Sequence, residues 1–323
     1  TVPKSLMRWI DSWAHQTQPH SNKADSRQVQ WIRILPFLLL HVACLAVFFV
    51  SFSWFAVAFM VVFYLVRMFA ITAFFHRYFS HKTFQTSRLV QFIFALIGTM
   101  SAQRGPLWWV AHHRYHHRHT DTELDPHSSG YGFWYSHVGW FLNDYNFATR
   151  KEVIGDWLKY PELIWLDRFS LLVVLATAAA IYALGEALSI YIPQLGTSGL
   201  QLLVWGFVVS TLLLTHATLC INSLAHLYGR RDFETDDHSR NNWFLSLITL
   251  GEGWHNNHHY YAGSTRQGFY WWQFDITYYI LKLMSLVGLV WGIKPVSAKV
   301  YQASKIAQKR RMKQVQNSQE ERQ

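Results

Sequence analysis

Four stretches of this chain carry almost no charge, and they constrain the fold more than anything else in it. They are Ile34 to Val50, broken only by Pro36 and His41; Trp54 to Phe75, with Arg67 towards its end; Leu171 to Ile192; and Leu202 to Asn222. Each is close to the ~20 residues that cross a hydrocarbon layer as a helix. Lipid offers no hydrogen bonds, so such segments must satisfy their own backbone, and helices do so. Ser51–Phe52–Ser53 joins the first two runs, too short for anything but a hairpin. The connection holding Pro193, Gly196 and Gly199 contains no Lys or Arg. Basic residues therefore flank the opposite side, and the positive-inside rule puts both termini and the 76–168 and 223–323 segments in the cytoplasm. The expected fold is an all-α integral membrane protein, with four transmembrane helices and a cytoplasmic helical cap.

Shorter apolar segments fit around this frame. Leu89 to Met100 is too short to span and reads as a re-entrant or interfacial helix. Phe269 to Trp291 is interrupted by Asp275 and Lys282 and reads as an interfacial helix. In residues 1–30, Leu6, Trp9, Ile10 and Trp13 recur on one helical face, as in a helix lying on the membrane surface. The tail over 299–323 is charged and Gln-rich, a frayed helix. No internal repeat and no signal peptide is expected. The chain reads as a single domain over 1–323, with its core at 34–291.

Charged residues make up 15% of the chain, against about 25% in soluble domains. The formal charge of +10 fits positive-inside topology. Nucleic acid is not an expected partner, because the basic residues form no stripe interleaved with aromatics. Cys44 and Cys220 lie inside apolar runs, where packing is their expected role.

The chain has eighteen histidines, and nine are patterned. His76 and His81 stand at the end of the second run. His113-Arg-Tyr-His116-His117 and His255-Asn-Asn-His258-His259 repeat one spacing. His226 follows Asn222 by four. Residues at i, i+3 and i+4 share a helix face, so each repeat can aim its imidazoles together. The five-residue step from His76 to His81 is poorer, roughly 140° on an ideal helix. Those two converge only if the helix ends or distorts, or if two metals take one each. Neutral imidazoles bind Fe, Zn, Cu and Ni, and nine exceed the capacity of one ion. Two ions with an open position each are the economical arrangement. His15, His20, His41, His112, His119, His127, His137, His216 and His238 read as ordinary surface or hydrogen-bonded residues.

These boxes, with Asn222-Ser-Leu-Ala-His226, Asp121-Thr-Glu-Leu-Asp125-Pro-His127-Ser128, Ser136-His-Val-Gly-Trp140 and Gly251-Glu-Gly-Trp254, resemble the membrane fatty-acid desaturases. The likeness is to the stearoyl-type delta-9 acyl-CoA group, and it runs from about Ile34 to Trp291. It implies a di-iron centre that uses O2 and two electrons to place a cis double bond in a saturated acyl chain. Residue by residue, His76, His81, His113, His116, His117, His226, His255, His258 and His259 match the ligands. Asn222 matches the residue that approaches one metal through water. Asp121, Glu123, Asp125 or Glu252 could offset the cationic charge.

The chain departs from the animal acyl-CoA enzymes at two places. Ala111-His112 stands where they have an Arg-Asp pair, and Asp144-Tyr145 where they have Arg-Lys. The carrier is therefore acyl-lipid, or acyl-CoA held by other groups such as Arg104, Arg150 or Lys151. No haem or flavin domain is expected in the chain. Electrons then come from a separate donor such as ferredoxin, rubredoxin or cytochrome b5 with its reductase, at a bacterial plasma membrane or the endoplasmic reticulum. A histidine-box hydroxylase or alkane mono-oxygenase uses similar boxes and is separated by its product. A metal transporter would want ligands at the midplane of the spans, whereas these lie at span ends.

Overall fold

A computed structural model describes residues 10–14, 31–143 and 145–303, without the side chains of Ile32 and Arg33. The described residues are mostly helical, with little strand: α1 Trp31–Cys44, α2 Trp54–Ser80, α3 Arg88–Thr99, α4 Pro106–His119, α5 Phe133–His137, α6 Pro161–Arg168, α7 Ser170–Tyr191, α8 Gly199–Leu227, α9 Trp243–Ile248, α10 His255–Tyr260 and α11 Ile276–Leu286. One departure from the all-α expectation is a two-residue antiparallel ladder, β1 Gln85–Thr86 with β2 Val290–Trp291.

Among the described residues, α2, α7 and α8 are long and apolar enough to cross a membrane, at 27, 22 and 29 residues. At 1.5 Å per residue, α2 and α8 outrun a hydrocarbon layer of about 30 Å, so their ends can project beyond it. The first run behaves differently. Its apolar helical part, Ile34–Phe48, is shorter than 18 residues; its last turn tightens to a 3-10 helix at Leu45–Phe48. Ser53 then starts α2 by accepting a hydrogen bond from Ala56 N at 3.3 Å, the usual N-cap arrangement.

Many large apolar side chains are exposed. Phe48, Phe49, Trp54, Ile190 and Tyr191 flank the connections from α1 to α2 and from α7 to α8, and Trp31, Trp134, Trp243 and Trp271 stand exposed elsewhere. Within the bundle, α7 and α8 meet at two glycines: a Cβ on Gly185 would lie 2.6 Å from the Cα of Gly199. Arg67, charged in the middle of α2, is fully buried. It donates to Thr211 Oγ1 at 2.8 Å, Ser210 Oγ at 2.6 Å and Met100 O at 3.1 Å, tying α2 to α8 and to the end of α3.

The expected N-terminal amphipathic helix and charged tail fall largely outside the described residues. Within 10–14, Trp13 turns inward rather than to a membrane surface. Its indole N–H donates to Asp167 Oδ2 at 2.7 Å, and Asp11 pairs with Arg168 at 2.5 Å. The expected helix over Phe269 to Trp291 is confined to α11. Asp275 explains its start, accepting from Tyr278 N at 3.0 Å.

Candidate metal centre

Each histidine box is aimed by a different local device. α2 changes its winding before the first box: from Ala70 to Ser80 it is a π-helix, with i→i+5 hydrogen bonds. The His81 N–H donates to His76 O at 3.3 Å. The wider winding turns the five-residue step towards one face, and the His76 and His81 rings lie 5.0 Å apart. The distortion that the poor α-helical spacing required is present.

The second box rides on α4, which starts with Pro106 behind Gly105. The buried carboxylate of Asp167 accepts from Trp108 N at 2.7 Å, an anion at a helix N-terminus. A Cβ on Gly105 would come within 2.2 Å of the Asp167 Cα, so no larger residue fits that approach. The third box forms α10. Before it, Gly251 has φ +127, and a Cβ there would lie 2.5 Å from Asp275 Oδ1 and 3.0 Å from Arg77 Nη2. Asn256 and Asn257 turn away from the box and hold it: Asn256 Oδ1 accepts from Phe233 N at 2.8 Å, and Asn257 Nδ2 donates to Gln267 O at 2.8 Å.

These elements bring all nine patterned histidines into two groups. His76, His81, His113, His117 and His258 form one, and His116, His226, His255 and His259 the other; within each, the candidate ligand atoms lie within 4.8 Å of one another. Both repeats divide between the groups, so neither box corresponds to one group. His116 also belongs to a third, overlapping group with Asp125 and His127.

The Nε2 atoms face each other. The distances are 3.0 Å for His76–His258, 2.8 Å for His81–His113, 2.9 Å for His117–His258, 3.1 Å for His226–His255 and 3.4 Å for His116–His259. Facing lone pairs at such distances repel unless a proton or a cation lies between them. The outer nitrogens show which applies at four rings. The Nδ1 of His116 bonds Asp125 at 2.9 Å, that of His226 bonds Asp121 at 3.1 Å, and that of His259 bonds Asp237 at 2.8 Å. His76 Nδ1 contacts Glu252. A carboxylate holds the ring proton at Nδ1, which leaves Nε2 as an inward lone pair. The donor set therefore fits a pair of cations. Three of the four acidic residues expected around the site take this role, while Glu123 is exposed. Asp237 has no spacing signal in the sequence and becomes visible only when the 232–242 loop is folded against α10.

Electrostatics agree. Burial pushes the imidazoles of His81, His113, His117, His255 and His258 well below the ordinary value, and the charges of neighbouring rings add to it. His259 falls to about 4 through burial, partly countered by Asp237. Burial also presses on His116, but Asp125 outweighs it and raises that ring. Behind Glu252, the buried guanidinium of Arg77 bridges to Asp275 at 2.9 Å and to Glu252 at 3.0 Å.

Above the rings lies a cavity of about 40 Å³. Met68 and Ile71 of α2 and Ile221 of α8 give it apolar walls, His113, His116 and His255 border it, and Asn222 lines it beside them. Three histidines set aside as ordinary, His41, His137 and His216, are not at this site; they bond one another behind it.

Comparison with known proteins agrees with this geometry. Residues 52–285 match the family model described as fatty acid desaturase. The chain is 38% identical over 285 residues to the acyl-CoA 5-desaturase AL21 of Anemone leveillei, covering 84% of each chain. It is 37% identical over 274 residues to an sn-2 palmitoyl-lipid 9-desaturase of Nostoc sp., covering 83% of this chain and 91% of the relative. It is also 37% identical over 249 residues to a chloroplastic palmitoyl-monogalactosyldiacylglycerol delta-7 desaturase of Arabidopsis thaliana, covering 76% of this chain and 63% of the relative. With its histidine groups beneath an apolar cavity and these likenesses along most of its length, this chain belongs to the fatty acid desaturase family of oxidoreductases.

Proposed function

We propose that the chain introduces a cis double bond at the delta-9 position of a saturated acyl chain carried on a membrane lipid, using O2 and two iron ions. The observation that carries this reading is the convergence of nine Nε2 atoms in groups of five and four beneath an apolar cavity. His76, His81, His113, His117 and His258 would hold one ion. His116, His226, His255 and His259 would hold the other, with Asn222 reaching it through a water. Iron bound there would supply O2 activation, with electrons from a separate donor such as ferredoxin, rubredoxin or cytochrome b5 with its reductase.

The protein's own part is orientation and exclusion. An acyl chain has no polar handle at its middle, so shape must position it. Met68, Ile71 and Ile221 supply apolar walls beside the histidines. Asp121, Asp125, Asp237 and Glu252 fix the ring protons at Nδ1 and offset the charge of the bound ions.

Carriage on a lipid is favoured by what the available cations do. The Arg104 guanidinium lies 3.9 Å from the Phe147 ring, the Lys151 amine 3.8 Å from the Trp13 ring, and Arg150 4.3 Å from the Tyr115 ring. Arg150 is also buried, which suits it poorly to receive coenzyme phosphates from solution. The alternative, acyl-CoA, is favoured by the 38% identity to an acyl-CoA 5-desaturase. The topology we propose has four spans, with α1 as the shortest and both termini and the histidine groups cytoplasmic. It is supported by the connections around Ser51–Ser53 and Pro193–Gly199, which carry no Lys or Arg.

Lipid analysis of cells expressing the chain, beside a His258→Ala control, tests the reading. A new monounsaturated chain absent from the control is expected, and its position on the glycerolipid or in the acyl-CoA pool identifies the carrier. Hydroxylated chains would overturn it in favour of a mono-oxygenase.

A further inference from the structure

The three histidines behind the site form one hydrogen-bonded chain. His41 Nδ1 bonds the Phe37 carbonyl at 2.7 Å. His41 Nε2 meets His216 Nε2 at 3.0 Å, His216 Nδ1 meets His137 Nε2 at 3.0 Å, and His137 Nδ1 meets Ser223 Oγ at 2.9 Å. The chain thus crosses from α1 through α8 to α5 and returns to α8. All six ring nitrogens are engaged.

One proton order satisfies it with every ring neutral. The Phe37 carbonyl can only accept, so His41 carries its proton at Nδ1 and accepts at Nε2. His216 then donates from Nε2 and accepts at Nδ1. His137 donates from Nε2 and accepts at Nδ1 from the Ser223 hydroxyl, whose single proton is shared with Leu219 O at 3.0 Å. Losing any member leaves its neighbours with unpaired ring nitrogens, buried at His137 and partly buried at His41 and His216.

The chain ends where α8 breaks. Ser223 has φ −112 and ψ −72, and a separate turn, Leu224–Leu227, follows it. Asn222, one residue before the break, lines the cavity. His226, in the turn after it, brings its Nε2 to 3.1 Å from His255 Nε2. The Ser223 side chain is fully buried at this joint.

We infer that His137, backed by His216 and His41, is a positioning residue that sets the α8 break and so aims His226 and Asn222 at the four-histidine group. The inference rests on the metal reading above, and it makes the seating of α1 part of the geometry of one metal position and not the other. His137 touches neither substrate nor ligand in this role; it acts through Ser223.

Metal content tests it without relying on turnover. The full chain, purified in detergent from iron-supplemented cells, is measured for iron per chain and by Mössbauer spectroscopy. The wild type is expected to hold two irons; fewer than two in the wild type would defeat the metal reading itself. His137→Ala is expected to bind iron at the four-histidine group about tenfold or more weakly, in the range seen for outer-sphere changes, while the five-histidine group stays filled. His137→Asn, whose Oδ1 can replace the acceptor facing Ser223, should restore much of the loss. Ser223→Ala, a smaller change, should repeat the defect, and His41→Ala should show it more weakly. Two irons with an unchanged spectrum in Ser223→Ala and His137→Ala would overturn the inference. So would equal loss from both groups in every variant that elutes as a folded monodisperse species.

Discussion

The two histidine groups are close neighbours but are built differently. In the group of four, three rings are backed by aspartates: His116 by Asp125, His226 by Asp121 and His259 by Asp237. In the group of five, the carboxylate contact is that of His76 with Glu252, and Glu252 is shared with Arg77. One group is thus rich in donors and poor in negative charge, the other the reverse. A cation in the group of four is better neutralised, and its rings are held more firmly in one orientation. A cation in the group of five depends on the number of rings. The pair is therefore chemically unequal before any substrate arrives.

Removing a donor from the crowded group is the harshest way to break this contrast. His258 Nε2 faces both His76 and His117, so His258→Ala is expected to reduce turnover to background while the protein remains in the membrane. Gas chromatography of cell lipids checks turnover, and membrane fractionation checks retention. Unimpaired turnover would remove His258 from the ligand set. Next in size, Asp121→Asn and Asp237→Asn should each weaken metal binding at the group of four by about 10- to 100-fold, leaving the group of five filled. Equal loss from both groups, measured by metal analysis with Mössbauer spectroscopy, would show that the difference in backing has no effect.

Acid should separate the groups more gently. His116 is raised above the ordinary 6.5 because Asp125 outweighs burial, whereas His255 and His259 of its own group and His81, His113, His117 and His258 of the other are held below it, chiefly by burial. As the pH falls from 7 to 6, protons compete first at His116, so metal should leave the group of four before the group of five. In the metal-free protein, the depressed rings refuse protons that the unfolded chain accepts. Its stability is therefore expected to fall as the pH drops below about 6.5, seen as a falling Tm in a pH series. A Tm that rises on acidification would contradict the burial of neutral rings. The smallest effect sharpens the contrast from outside: Glu123→Gln, at an exposed position, should leave stability within about 0.5 kcal/mol and metal content unchanged.

Much of this architecture is legible in the residues. The repeated His-x-x-His-His spacing and the Asn222–His226 step announce the residues that gather into the histidine groups, because helical periodicity converts spacing directly into a shared face. What escapes is whatever depends on distant folding. Asp237 reaches His259 only through the loop before α9. His41, His137 and His216 lie scattered through the sequence, and only the packing of α1, α5 and α8 links them. Asp275 reads as an interruption of an apolar run, yet it caps α11 and neutralises Arg77. The first apolar run is less regular than its composition suggests. Its winding tightens from α-helix to a 3-10 turn at Leu45–Phe48, which composition does not announce.

The π-wound stretch of α2 carries a consequence for how such a protein can change. Each wide turn absorbs one extra residue, and one residue of an α-helix corresponds to a rotation of about 100°. Ala70–Ser80, 11 residues long, thus acts as a phase coupler between two gears. On one side of it, the pattern of side chains is set by neighbouring helices; on the other, His76 and His81 take their places in the five-histidine group. Substitutions on the first side can drift freely as long as the coupler keeps its length. A single-residue deletion inside it would turn one gear against the other, and no change of side chain elsewhere in α2 would bring them back into register.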